Sequence, residues 1–154
     1  MKKGGVELKL LRATKDNLTG VSILFNQYRM FYNQVEDISG AESYIRERLQ
    51  QEDSIIFVMK EGDTYLGFTQ LYPTFSSISM KKAWILNDLY VHEEARGKGV
   101  AESLLNRAKA FALETEAVSI ALSTAPDNLP AQRLYEKLGY ERDEQFYHYE
   151  LNLA

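Results

Sequence analysis

One stretch decides the fold of this chain: Asn87-Asp88-Leu89-Tyr90-Val91-His92-Glu93-Glu94-Ala95-Arg96-Gly97-Lys98-Gly99-Val100-Ala101. It runs from an apolar strand through a short acidic turn into a glycine-spaced loop that opens an amphipathic helix. The backbone N–H groups of such a loop point in one direction, and the helix N-terminus adds a partial positive charge. Gly97 and Gly99 lack a Cβ, so they permit positive φ and let a ligand approach the backbone. The sequence therefore predicts a site for a phosphate or pyrophosphate.

The spacing of this loop excludes two common phosphate-binding motifs. A P-loop needs a serine or threonine for Mg²⁺ after its G-K pair, and Val100 follows Gly99 here. A dinucleotide fingerprint, G-x-G-x-x-G, needs a glycine where Glu102 stands. The loop fits R-x-x-G-x-[GA] instead. On its own this short pattern is equally compatible with an ordinary strand-to-helix turn that uses glycines.

Two patterns in the correct order resemble the GNAT superfamily of N-acetyltransferases. The first is the acetyl-CoA pyrophosphate loop, R-x-x-G-x-[GA], at Arg96, Gly99 and Ala101. The second, N-x-x-A-x-x-L-Y-x-x-x-G-[FY], is matched by residues 128–140, with a helix and a strand between the two. The resemblance covers roughly residues 54–153, and it is closest to the polyamine and small-amine acetyltransferases.

The predicted fold is a single α/β domain over residues 1–154. The resemblance implies a mixed, mostly antiparallel central sheet of six or seven strands, about four flanking helices and a splayed parallel strand pair at the CoA slot. Strands are predicted at 6–12, 55–60, 64–74, 82–91 and 118–124, with one or two more in 140–153. Helices are predicted from Thr14 or Asp16 to about Asn33, after a cap at Ser39, and over 100–116 and 130–138.

Composition limits the classes of protein that the chain can be. It has 154 residues, 45% of them hydrophobic, which suits one domain with one core. It has no cysteine, which excludes disulfides, a thiolate zinc site and a cysteine nucleophile. No signal peptide or membrane-length apolar run is present, so we expect a cytoplasmic protein without a membrane partner. The net charge of −4 without a basic block argues against nucleic acid.

The resemblance implies that acetyl-CoA is the co-substrate and that no metal takes part. In the family, backbone N–H groups of the loop hold the pyrophosphate, and the strand before it grips the pantetheine arm. The matching residues are Leu89, Tyr90 and Val91 in the strand and Arg96, Gly97, Lys98, Gly99, Val100 and Ala101 in the loop. Arg96 and Lys98 can add positive charge at the rim. Asn128 matches a polar contact near the arm, and it is equally placed to cap the following helix.

Tyr135 matches the signature tyrosine whose hydroxyl faces the CoA sulfur, so the resemblance implies that it is the general acid. A thiol with a pKa of about 8.5 is already a fair leaving group, so protonation gives a moderate rate factor. The alternative is a core role, because Tyr135 shares an apolar helix face with Ala131, Leu134 and Leu138.

Asp88 is the candidate for the base or for binding the amine. Polyamine acetyltransferases of the superfamily often carry a Glu-Asp pair before this strand, and here the pair is Asn87-Asp88, without the glutamate. A carboxylate in a central strand must be paired or have a raised pKa, and such groups are functional candidates. The alternatives are that Asp88 holds a β-bulge together, that water relays the proton, or that the enzyme binds the neutral amine.

The acceptor is predicted to be a small primary amine, such as a polyamine or an amino acid. Aromatic faces can hold an ammonium group, and Tyr28, Tyr32 and Tyr72 are the candidates, although each could instead be a packing residue. Acetylation of a protein lysine or N-terminus is the runner-up, and a non-catalytic CoA sensor is the third reading. The alternating end of the chain, 147–151, could pair with a second subunit in a homodimer.

Overall fold

The computed structural model describes residues 2–3 and 6–154, which form two compact units, one ending at Leu122 and one beginning at Ser123. The first unit holds a six-stranded sheet and three α-helices. Its strands are β1 (Lys2–Lys3), β2 (Val6–Arg12), β3 (Ile55–Glu61), β4 (Thr64–Ser76), β5 (Lys81–Val91) and β6 (Ile120–Ala121). Its helices are α1 (Leu18–Phe31), α2 (Ile38–Gln51) and α3 (Val100–Glu114), and the second unit holds α4 (Leu129–Lys137).

The strands lie in the sheet in chain order, β1-β2-β3-β4-β5-β6. All neighbours are antiparallel except β5 and β6, which are parallel through Trp84 opposite Ile120 and Ile85 opposite Ala121. The predicted mixed, mostly antiparallel sheet with one parallel pair is therefore present. The prediction of six or seven strands differs slightly from the structure, since β1 and β6 of the six strands in the described sheet are only two residues long.

The sheet is buried on both faces, which explains the continuous apolar pattern of β3. On one face Ile56 and Val58 pack into the core that α1 and α2 provide. On the other face Phe57 packs edge-on against Phe111 of α3, with ring centroids 5.6 Å apart. Alternate residues of one strand thus support the two helical layers.

Two helices begin where local side chains cap them, and one of these starts was predicted wrongly. Thr14 forms a capping box with Asn17 around the 3₁₀ turn Lys15–Asn17, and α1 follows directly. Asp37, rather than the predicted Ser39, caps α2 by accepting the N–H of Gly40 at 2.9 Å. A carboxylate is as good an N-cap as a hydroxyl, so the pattern alone did not separate the two.

Gly67 of β4 is required by a close approach of two backbones. A Cβ at this position would lie 2.8 Å from the carbonyl oxygen of Tyr90 and 3.1 Å from the Val100 side chain at the start of α3. We expect Gly67→Ala to lower the free energy of unfolding by about 1 to 3 kcal/mol, since the crowded side is backbone and cannot move freely. Urea unfolding measures this loss, and an unchanged midpoint would show that the strand relaxes without cost.

The second unit differs from the sequence prediction. Helix α4 begins at Asn128, whose side chain accepts the N–H of Ala131, and Gly139 follows its end with φ of 98°. The predicted strands over 140–153 are wrong: no strand is assigned after α4, and all residues from 141 to 154 are exposed. The predicted strand over 118–124 is reduced to Ile120–Ala121. Alternation of apolar residues indicates the strand conformation but does not supply a partner.

Candidate active site

A β-bulge in β5 sets which side chains face α1 and α2. Gln70 pairs with Asp88 while the next residue, Leu71, pairs with Leu86, so Asn87 is an extra residue. Because successive side chains alternate between faces, one inserted residue reverses the alternation beyond it. Trp84, before the bulge, therefore packs on α3 at 5.1 Å from the Phe111 ring. Asp88, after the bulge, lies on the same face as Gln70.

Asp88 is a buried carboxylate held by two side-chain amides. Its Oδ2 accepts from Gln70 Nε2 at 2.8 Å and its Oδ1 accepts from Asn87 Nδ2 at 3.1 Å. The residue is only 4% exposed. Burial raises the pKa of the Asp88 carboxyl, against the opposing effect of hydrogen bonds from Gln70, Tyr28 and Asn87. All three of these partners are neutral, so the charge has no ionic partner among these contacts, which favours a proton-accepting role.

The residues behind Asp88 hold it in place. Gln70 is fully buried and its Oε1 accepts a hydrogen bond from the Ser54 hydroxyl at 2.8 Å. Thr69 Oγ1 donates to the Asp88 backbone carbonyl at 2.8 Å on the opposite side of β4. The sequence analysis missed Gln70 and Ser54. The signal was a glutamine in the middle of a predicted strand, because an amide buried there needs hydrogen-bond partners.

Aromatic side chains surround this carboxylate. Tyr28 packs edge-on against Phe68 and Tyr90, at 5.8 and 6.1 Å between ring centroids, and its hydroxyl lies 3.4 Å from the Asn87 carbonyl. Tyr32 packs on Tyr28 at 5.2 Å and is about half exposed, at 52%. The structure therefore brings Tyr28 and Tyr32 together near the bulge, and their role in binding the acceptor stays a prediction.

Tyr72, two residues along β4 from Gln70, shares this face. Its hydroxyl is 2.7 Å from that of Tyr44, a residue of α2 that the sequence analysis did not name as a site residue. Burial, followed by the Tyr44 hydrogen bond and the nearby charge of Asp88, raises the pKa of Tyr72 well above its ordinary value. Tyr72 is therefore neutral at physiological pH, and the Tyr44–Tyr72 pair offers hydroxyl and ring surface near the carboxylate.

The glycine loop has the backbone conformation that the sequence predicts. Gly97 and Gly99 adopt φ of 77° and 79°, and a Cβ at either position would meet no atom within 4 Å. Gly99 is the N-cap of α3 and has no side chain to satisfy the first N–H groups of that helix. Lys98 between them is exposed. The open space and the helix N-terminus suit a phosphate group bound through backbone N–H groups.

Arg96 has an unexpected contact. Its Nε donates to the Val91 carbonyl at 3.0 Å, and its guanidinium lies 5.5 Å from the Phe31 ring centroid and 5.7 Å from that of Tyr90. Arg96 thus joins the loop to the C-terminal end of α1 by cation–π contacts. The sequence analysis missed Phe31, because residues 31 and 96 are distant in the chain. The predicted role of Arg96 as charge at the rim stays a prediction.

The strand residues Leu89, Tyr90 and Val91 lie beyond the parallel pairing of β5 with β6, which ends at Ile85. Both Leu89 and Val91 pair with β4, opposite Thr69 and Gly67 respectively. The part of β5 nearest the glycine loop therefore has a partner strand on one side and no β6 partner on the other. This arrangement fits a ligand arm that runs along β5.

The two predicted site residues of the second unit are Tyr135 and Asn128. Tyr135 is half-buried, and its ring lies 5.9 Å from that of Tyr140. Asn128 Oδ1 accepts the Ala131 N–H at 3.3 Å, so the capping role weighed for it is present. Its contact to the pantetheine arm stays a prediction, as does the role of Tyr135 as an acid.

No helix within residues 2–3 and 6–154 is long and apolar enough to cross a membrane. No group of three or more His, Asp or Glu side chains among them is placed to hold a metal ion.

The sequence profile of the acetyltransferase (GNAT) family matches residues 22–140. The chain belongs to this family. A Bacillus subtilis protein described as an uncharacterized N-acetyltransferase, YhfO, is 44% identical over 95% of this chain and 98% of its own length. Members of the family transfer an acetyl group from acetyl-CoA to an acceptor, so this GNAT protein is an acetyltransferase.

Solved structures support the same fold for this acetyltransferase. The crystal structure of a probable acetyltransferase has a TM-score of 0.90 and 42% identity, covering 95% of this chain and 98% of that one. An aminoglycoside N-acetyltransferase in complex with CoA has a TM-score of 0.80 at 19% identity, covering 99% of this chain and 100% of that one. At that identity the second likeness concerns the fold alone.

Proposed function

We propose that this GNAT protein transfers the acetyl group of acetyl-CoA directly to a primary amine of a small molecule, such as a polyamine or an amino acid, through a ternary complex. The proposal includes one acetyltransferase domain over residues 1–154 and a cytoplasmic location. The observation that carries it is the buried Asp88 carboxylate beside Tyr28 and Tyr72, on the strand that leads into the glycine loop.

The acceptor class follows from the chemistry around Asp88. A protonated amine is attracted to a carboxylate and to aromatic faces, and both are present on the α1 and α2 side of the sheet. The carboxylate has neutral amide partners and a raised pKa, so a cation bound beside it would stabilise its ionised form. Asp88 can then accept the proton that the ammonium must lose before its nitrogen lone pair can attack.

The reaction is written as one direct transfer. Acetyl-CoA supplies an acetyl thioester. The amine nitrogen bonds to the carbonyl carbon, the carbon–sulfur bond breaks, and the electron pair of that bond leaves on sulfur. Asp88 takes one proton from the ammonium before the attack. The Tyr135 hydroxyl donates its proton to the departing thiolate, and the second proton that leaves the nitrogen as the amide forms restores that hydroxyl. The chain has no cysteine to carry the acetyl group between substrates, so the direct route is the simpler one.

The binding residues have separate tasks in this proposal. Backbone N–H groups of residues 96–101 would hold the pyrophosphate, with Lys98 adding charge. Leu89, Tyr90 and Val91 would contact the pantetheine arm through their backbone. Tyr28, Tyr32 and Tyr72 would line the acceptor side, with Asn128 near the arm.

The deciding experiment measures acceptor-dependent thiol release from acetyl-CoA. The panel contains a polyamine, an amino acid, an aminoglycoside and a lysine-rich peptide. A protein without cysteine gives no background with a thiol reagent. We expect release with one of the small amines. Thiol release with the peptide alone would indicate a protein acetyltransferase. Thermal stabilisation by acetyl-CoA without thiol release from any acceptor would contradict the enzymatic proposal and favour a sensor.

The glycine loop can be tested with a matched pair of substitutions. Gly99 and Gly139 have φ of 79° and 98°, and a Cβ at either would meet no atom within 4 Å. Gly99→Ala and Gly139→Ala should each cost about 1 to 2 kcal/mol of stability from left-handed strain. We expect only Gly99→Ala to weaken acetyl-CoA binding, by about tenfold, because loss of about 1.4 kcal/mol of N–H contact gives that factor. Calorimetric titration measures the Kd for acetyl-CoA of both variants. Equal affinities would show that the loop is not part of the cofactor site.

A further inference from the structure

Arg48 of α2 is a cation that the proposed reaction does not use. It lies one helical turn after Tyr44, and its guanidinium carbon is 5.1 Å from the centroid of the Tyr44 ring. The Nε of Arg48 is buried and has no hydrogen-bond partner among the described residues. A buried charged donor without an acceptor costs free energy, so an anion bound to this guanidinium would be stabilised.

The carboxylates that already contact Arg48 lie toward solvent. Its terminal nitrogens are 3.0 Å from Asp53 Oδ2 and 3.3 Å from Glu47 Oε1. The side chains of Asp53 and Glu47 are 42 and 63% exposed, whereas that of Arg48 is 20% exposed. Exposed ion pairs are weak, because water screens both charges. A ligand carboxylate that reaches the guanidinium can therefore compete with these two contacts.

The Tyr44–Tyr72 hydroxyl pair connects Arg48 to the sheet face that carries Asp88. The two hydroxyl oxygens are 2.7 Å apart. Burial, the Tyr44 hydrogen bond and the charge of Asp88 raise the pKa of Tyr72. The charge of Arg48 lowers it, so the Tyr72 hydroxyl is within electrostatic reach of both charges.

Asp88 and Tyr72 are neighbours on the α1 and α2 face of the sheet. Asp88 pairs with Gln70, and Tyr72 follows Gln70 by two residues, which is about 7 Å along an extended strand. A hydrogen bond of roughly 2.8 Å at each end of this span leaves room for two groups carried on one carbon atom. A second ammonium group at the Tyr72 end would lie toward the positive charge of Arg48. This part of the face therefore favours an acceptor with an anion beside its amine.

We propose that the acceptor is an α-amino acid, whose amine binds at Asp88 and whose carboxylate binds the Tyr44–Tyr72 hydroxyl pair and Arg48. This inference rests on the acetyl transfer proposed above and narrows its acceptor from small amines in general to zwitterions. The two hydroxyls have two protons and use one between them, so the other can be donated to the carboxylate. The N-acetyl product no longer carries the cation that Asp88 attracts, which favours its release.

Matched acceptors test the proposal in the thiol-release assay. The panel holds the L- and D-forms of leucine, phenylalanine, glutamate and lysine, the α-amide of each, and the amine that lacks the carboxyl group. We expect kcat/KM for the best amino acid to exceed that for its amide and its amine at least about 100-fold, because the carboxylate makes charge-assisted hydrogen bonds. A polyamine or a simple amine as the best acceptor would overturn the amino acid assignment and leave acetyl transfer to small amines intact.

Arg48→Met removes the charge and keeps a long side chain. We expect it to lower kcat/KM for the best amino acid at least about tenfold and to leave the value for the amide within about threefold. Arg48→Lys should retain more activity than Arg48→Met, since it keeps the charge. The matched control is Arg46→Met, at an exposed arginine of the same helix that pairs with Glu42, and it should change neither value. Equal losses with amino acid and amide would show that Arg48 only supports the fold, which overturns its role.

Binding measurements distinguish failure of this inference from failure of the proposed function. Calorimetric titration of the same amino acids and amides into the protein saturated with CoA measures acceptor binding without turnover. Binding of an amino acid but not of its amide, lost in Arg48→Met, would support the carboxylate site even if no acceptor released thiol, an outcome that contradicts acetyl transfer alone. Neither turnover nor binding of any amino acid would overturn the inference.

Discussion

Asp88→Asn should lower kcat/KM with the best small amine by at least about 100-fold while the protein remains folded. The substitution keeps the shape of the side chain and removes the proton acceptor. The hydrogen bonds can be remade, because a Gln70 amide turned by 180° accepts from the new amide and donates to Ser54. The loss of rate then reports the missing carboxylate and not a collapsed site.

The same variant should be as stable as the parent protein or more stable at neutral pH. Burial raises the folded-state pKa of Asp88 above its unfolded value of about 3.9. Because the folded-state pKa is the higher one, Asp88 contributes favourably to the free energy of unfolding below its unfolded-state pKa. That contribution is lost as the pH rises through the folded-state pKa. The ionised carboxylate therefore destabilises the fold at neutral pH, and an amide removes that penalty.

The pH dependence separates a base from a packing residue. We expect kcat/KM of the parent enzyme to fall as acidity protonates Asp88, at a pH above the usual aspartate range, and this limb should vanish in Asp88→Asn. Thermal melts between pH 4 and 8 measure the stability difference, which should shrink toward the acid end. Asp63→Asn, at an exposed position in the β3–β4 turn, is the control. It should change neither the pH dependence of kcat/KM nor the thermal stability. A stable variant with full activity would remove Asp88 from the mechanism.

Tyr135→Phe should lower kcat by about 100-fold and leave the Kd for acetyl-CoA within about threefold. The change deletes one hydroxyl and keeps the ring that packs on Tyr140. If Tyr135 protonates the leaving thiolate, acyl donors with more acidic thiols should suffer less from the substitution. Single-turnover kinetics with two such donors measure this difference.

Tyr140→Phe is the matched control for Tyr135→Phe. The Tyr140 hydroxyl is buried and has no hydrogen-bond partner among the described residues, and burial raises the pKa of Tyr140. Removing an unpartnered buried hydroxyl should leave activity unchanged and keep or improve stability. Equal losses of kcat in the two variants would point to packing of α4 and would contradict the acid role of Tyr135.

The sequence predicted the elements around the glycine loop well, because local chemistry fixes them. Gly97, Gly99 and an apolar helix pattern specify a turn with positive φ and the start of α3 without help from distant residues. The long apolar β5 was equally clear, since a strand buried on both faces has few alternatives. The one parallel strand pair was implied by the resemblance to the family and is present between β5 and β6.

The unpredicted features depend on pairing between distant residues. The hydrogen bonds that link Asp88 to Gln70, and Gln70 to Ser54, depend on the register of β4 against β5. The local sequence pattern does not determine that register. The contact of Arg96 with Phe31 joins residues that only the folded α1 brings together. The prediction of strands over 140–153 was wrong for the same reason. Alternating apolar residues favour an extended chain, but a strand also needs the edge of another strand to pair with, and the local pattern does not supply one.

The bulge at Asn87 makes the position of Asp88 depend on the register of β5 against β4. A point mutation at position 87 that keeps the bulge leaves the carboxylate on the α1 and α2 face. Closing the bulge with all residues of β5 retained would pair Asn87 with Gln70 and turn Asp88 and Tyr90 together toward α3. If Asp88 is the proton acceptor that we propose, substitutions at Tyr28, Tyr32 and Tyr72 could change the acceptor while the carboxylate keeps its place in the sheet.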